Sequence, residues 1–150
     1  MILKHLLKTA LVLAVLGSVS PVSAHTLSNK TLRVGFGAQA TDVWQVTCAN
    51  DAVLGDSHHL AAQVLDKSND TNILSLIIVK GTAAATTVDS VGGDTTPSPF
   101  VEVAGGNGVY TMLVNHTQSG NQVYNIEFHC ANAGGDHTPT TAPSTPVQDN

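Results

Sequence analysis

Apolar and polar residues alternate with a period of two along most of this chain, and turn-forming residues break the alternation every 8–15 positions. Period-two alternation places successive side chains on opposite faces of an extended strand. It predicts strands over 31–36 (TLRVGF), 42–48 (DVWQVTC), 59–66 (HLAAQVLD), 73–80 (ILSLIIVK), 84–89 (AATTVD), 100–104 (FVEVA), 108–116 (GVYTMLVNH) and 122–130 (QVYNIEFHC). Asn107-Gly108 and Ser119-Gly120-Asn121 have the composition of hairpin turns, and residues 90–99 (SVGGDTTPSP) form a Gly/Pro loop. Helix signals are almost absent.

The same alternation assigns inward rows. Trp44, Val46 and Cys48 share one face, as do Tyr110, Met112 and Val114, and Tyr124, Ile126, Phe128 and Cys130. The run from Ile73 to Val79 is apolar on both sides, which suits a central strand. About eight strands with one apolar face each require a second sheet to cover them, so the expected fold is all-β, a two-sheet antiparallel β-sandwich. Cys48 and Cys130 each end an apolar row, where a disulfide between strands or sheets is geometrically reasonable.

Both ends of the chain read differently from the middle. Residues 1–24 combine Lys4, His5 and Lys8, an apolar run over 10–16 (ALVLAVL) and Val22-Ser23-Ala24. This is the layout of a secretory signal peptide, with an apolar run too short for a membrane span. Cleavage after Ala24 leaves a domain over 25–133 that begins at His25, secreted or periplasmic, in a compartment where two cysteines pair. Residues 134–150 (GGDHTPTTAPSTPVQDN) are rich in Thr and Pro without periodicity and read as a disordered tail.

Beyond residue 24 the chain carries four basic residues against eleven acidic ones, a formal charge of −7. Nucleic acids and anionic membranes are bound through cationic charge, so this balance excludes both as partners. No further segment could span a membrane, and the expected partner is a protein or polymer at the cell exterior.

The blocks TDVWQVTC (41–48) and NGVYTMLVNHTQSGNQVYNIEFHC (107–130) resemble the bacterial pre-peptidase C-terminal (PPC-like) domain. Asp42 and Trp44 match its early strand, and Gly108, Tyr110, Met112, Val114, Tyr124, Ile126 and Phe128 match its closing hairpin. The resemblance implies a non-catalytic β-sandwich module on a secreted protein, in a family where some members bind calcium or matrix polymers.

Six histidines lie beyond the leader, and they supply the candidate chemistry. A chain starting at His25 offers an α-amine and an imidazole on one residue, a chelate that a further histidine completes into a nitrogen-only Cu(II) site. The candidate third ligands are His129, which shares an outward face with Glu127, then His116 at a strand end, and more weakly the His58-His59 pair. His137 falls in the tail. Acid clusters suggest calcium: Asp66 and Asp70 flank Ser68-Asn69, and Asp89 and Asp94 flank Gly92-Gly93. No nucleophile elbow, zinc-protease helix, catalytic triad or phosphate loop is present, so no catalytic residue is assigned. The expected function is a secreted binding or interaction module. The alternative is a small periplasmic copper-binding protein, with a copper oxidase or monooxygenase as a third class.

Overall fold

A computed structural model describes residues 24–150. The proposed leader therefore lies almost entirely outside the described residues. Ten strands form two antiparallel sheets: β1 (His25–Leu32), β2 (Thr41–Cys48), β3 (His59–Asp66), β4 (Leu74–Lys80), β5 (Ala83–Asp89), β6 (Val101–Ala104), β7 (Gly108–His116), β8 (Gln122–Ala131), β9 (His137–Thr138) and β10 (Thr140–Thr141). One sheet runs β1-β8-β3-β6, with β9 also paired to β8; the other runs β10-β2-β7-β4-β5.

The predicted alternation is what holds these layers together. Trp44, Val46, Tyr110, Met112, Val114, Tyr124 and Ile126 are fully buried, with Phe128 at 2% exposure, in one continuous core between the sheets. Truncating such a buried aromatic ring typically costs roughly 3–5 kcal/mol. β4 is interior to its sheet, flanked by β7 and β5, as its apolar run requires. Cys48 and Cys130 form the disulfide, with Cα atoms 5.6 Å apart and a separation of 82 in sequence.

Two expectations are corrected. The first strand was expected over 31–36, but β1 begins at His25 and stops at Leu32. Its register with β8 shifts between Leu27 and Lys30, where Asn29 takes a positive φ of 52°. A bulge inserts an extra residue and breaks the two-residue period, which hides the first half of the strand from pattern reading. Val34 and Phe36 then lie exposed in a short 3-10 segment (Val34–Gln39) bent at Gly37, whose φ is 62°.

The second correction concerns 134–150, which is ordered rather than a disordered tail. Thr138 pairs with Cys130 in β8, and Thr140 with Cys48 in β2, so this segment crosses from one sheet to the other beside the disulfide. It then runs down the open edge of β2, where Val43 bridges to Gln148. The Asn150 N–H donates to Asp42 Oδ1 at 2.9 Å, and Arg33 pairs with Asp149 at 2.8 Å. Threonine and proline suit this role. The threonines pair where backbone donors are needed, and Pro139 uses only its carbonyl, accepting from the Ala49 N–H at 3.0 Å. Covering β2 removes an exposed sheet edge that would otherwise invite pairing with another chain.

Candidate functional site: a histidine-lined sheet face

The outer face of the sheet built from β1, β8, β3 and β6 gathers most of the chemistry. In β8, Glu127 and His129 point outward while Phe128 and Cys130 point into the core, as the alternation requires. Register brings other strands' outward residues beside them. His129 pairs with Ala61 and Ala61 with Glu102, while Ala131 lies between His59 of β3 and His137 of β9. His59, His129 and His137 therefore surround Ala131 on one face. Ala61 and Ala131 occupy outward positions yet are each 1% exposed, so small residues form a covered floor between larger rings.

The rings are in close order. His129 and His137 stack with centroids 4.0 Å apart and planes 12° apart. Phe100 stands tilted against His129 at 5.4 Å. The Nδ1 atoms of His58 and His59 are 3.3 Å apart, and His59 Nε2 lies 3.8 Å from the Glu102 carboxylate. Glu127 accepts from Gln63 Nε2 at 2.7 Å, which fixes its carboxylate. His129 has its pKa lowered, first because burial disfavours the imidazolium and then through electrostatic repulsion from the neighbouring His137 and His59 rings. Its Nδ1 is buried without a hydrogen-bond partner. A neutral ring with an unused nitrogen suits acceptance of a hydrogen bond or a metal bond.

Beside this patch, and sharing Glu127 with it, a cleft of about 280 Å³ lies between the same sheet and the Gly/Pro loop; Leu65 and Asn125 line the sheet side, Thr95 and Pro97 the loop side. The face thus offers a cleft next to a row of imidazoles.

The histidines named from sequence are dispersed. His25 sits opposite Phe128 and stacks on its ring at 5.7 Å, on the core side of β1, whereas His129 projects from the outer side of β8. His116 is 5% exposed at the other end of the sandwich, with Nε2 3.0 Å from the Gly37 carbonyl. Of the set, His58, His59 and His129 share one region, and His137, which the tail reading had set aside, joins them. Its signal was the β-branched run around Pro139, readable as an edge strand. Among the described residues no three His, Cys, Asp or Glu side chains already converge on a metal position. No known family matches this chain, and neither a curated protein nor a solved structure matches it.

Proposed function

We propose that this chain is an exported, non-catalytic binding module that engages its partner through the histidine-lined outer face. The observation that carries this reading is the convergence of His59, His129 and His137, drawn from three strands, on a covered alanine floor beside a cleft. The stacked rings of His129 and His137, with Phe100, offer flat surface of mixed apolar and polar character, a combination suited to a protein or polymer surface. The acidic balance favours a partner that is neutral or cationic. The resemblance to PPC-like modules points to the same role.

The test is to replace His129 and His137 together with alanine and measure retention on extracellular polymers and cell-surface fractions. The reading expects retention to fall at least tenfold while the melting temperature moves by only a few degrees. Unchanged retention would refute it.

A second reading is capture of a transition metal such as copper by the His58-His59 pair. The two nitrogens lie 3.3 Å apart, close enough for a small side-chain adjustment to bring both onto one ion. Titrating Cu(II) into protein processed from its own leader tests it. A site lost in His58→Ala supports this reading, and a site lost only when a residue is added ahead of His25 supports the amino-terminal chelate instead.

A further inference from the structure

The end of the sandwich away from the disulfide buries charge without a matching cation. Asp66, at the end of β3, is fully buried, and Asp89, at the end of β5, is 4% exposed. The two acidic loops that follow these strands pack against each other. The Asp66 N–H donates to Asp89 Oδ2 at 2.8 Å, and the Gly93 N–H donates to the Asp66 carbonyl at 3.0 Å. A Cβ on Gly92 would lie 2.2 Å from the Ser68 carbonyl and 3.2 Å from Asp66 Oδ2, so only glycine lets the loops close to this distance.

The oxygens gathered here are incompletely used. Asp66 Oδ1 accepts from the Ser68 N–H, but Oδ2 has no partner. Gln122 is fully buried; its amide nitrogen donates to Asp70 Oδ2, while its Oε1 has no partner. Because both atoms belong to one amide, that bare oxygen lies beside the Asp70 carboxylate. The negative charges of Asp70 and Asp89 both act on Asp66. Among the described residues no lysine or arginine pairs with any of the three carboxylates; the one such pair joins Arg33 to Asp149. A buried carboxylate needs a compensating charge, and an unpartnered buried acceptor needs a donor or a cation.

We propose that this end of the sandwich is a calcium site, assembled from Asp66 Oδ2, Gln122 Oε1 and a carboxylate of Asp70 or Asp89, with water filling the shell. All the donors are hard oxygens, which selects calcium over softer metals, and calcium tolerates the irregular geometry that magnesium does not. Among the described residues no three His, Cys, Asp or Glu side chains converge on a metal position, so the site depends on the Gln122 amide oxygen and on water to complete the shell. The resident alternative is His116, which acts electrostatically on Asp66 and has an unpartnered Nδ1 of its own. Compensation by its imidazolium alone predicts no dependence on any metal.

The experiment is calorimetric and thermal titration of the chelator-treated chain with calcium chloride, with amide shifts followed by NMR. The site predicts saturable binding near one ion per chain, at about 0.1–1 mM as in extracellular modules, and a melting temperature raised by about 5 °C. Saturating shifts are expected at Ser68, Gly92 and Gly93. Asp66→Asn is expected to weaken binding at least tenfold; should it fail to fold, the double variant Asp70→Asn, Asp89→Asn carries the same expectation. Absence of saturable binding overturns the proposal, as does binding whose shifts map to the histidine face or that both variants retain.

Discussion

The two ends of this sandwich are closed by different chemistry. At one, the disulfide joins the sheets and hydroxyls satisfy the backbone groups around it, with His129 Nδ1 the single buried side-chain atom left unpartnered there among the described residues. Ser57 Oγ donates to the Ala49 carbonyl at 2.9 Å and meets Thr138 Oγ1, and Thr140 Oγ1 accepts from the Cys130 N–H at 2.9 Å. At the other, Asp66, His116 and Gln122 each keep a buried polar atom without a partner. Neutral groups with matching donors can be sealed in at little cost, whereas charged groups left uncompensated cannot. The first end is cross-linked, and the second concentrates three of the unpartnered buried atoms.

Breaking the covalent end has the largest expected effect. Replacing Cys48 and Cys130 with alanine releases a loop spanning 82 positions and is expected to lower stability by about 4 kcal/mol, read as a drop in the urea midpoint at unchanged slope. A change below ~1 kcal/mol would mean that the hydroxyl network alone holds this end. Removing 144–150 is expected to cost about 2 kcal/mol, because Asp42, 1% exposed, loses the Asn150 N–H. It also bares the edge of β2, so concentration-dependent association should appear in sedimentation. A monomer of unchanged stability would show that the strap contributes nothing.

The smallest effect sharpens the contrast through pH. Burial raises the pKa of Asp66, reinforced by Asp70 and Asp89 and opposed by the Ser68 N–H bond and His116; burial likewise raises that of Asp42, opposed by its bonds to Tyr124 and Asn150. A carboxyl with a raised folded pKa contributes stability that is fully present below its unfolded value of 3.8 and is lost as pH rises through the folded value. In chelator these two groups therefore make stability decline with rising pH above about 4, against the trend of ordinary paired carboxylates. Asp66→Asn should remove part of that decline. Denaturation midpoints measured from pH 4 to 7 check it, and an identical pH profile in the variant would count against an uncompensated Asp66.

Much of the fold is legible in the sequence because period two is a local signal. Trp44, Tyr110, Tyr124 and Phe128 announce their faces through their neighbours, and the cysteines announce theirs through the rows they end. β1 is only half legible, since the bulge at Asn29 resets the period. The strands of 134–150 are two residues long and are specified by distant partners, so composition alone makes the segment look disordered. The histidine face is legible only within β8, where Glu127 and His129 share a side; bringing His59 and His137 to them depends on register between strands. Each acidic loop is visible singly, but their contact through Gly92 is tertiary.

The most direct test of the difference between the ends is residue-resolved amide hydrogen exchange in chelator. The account predicts that Leu60 and Cys130 exchange only through global unfolding, while Asp66, Ser68 and Gly93 exchange faster through local opening at the acidic end. Equal protection at both ends, without any metal present, would contradict it.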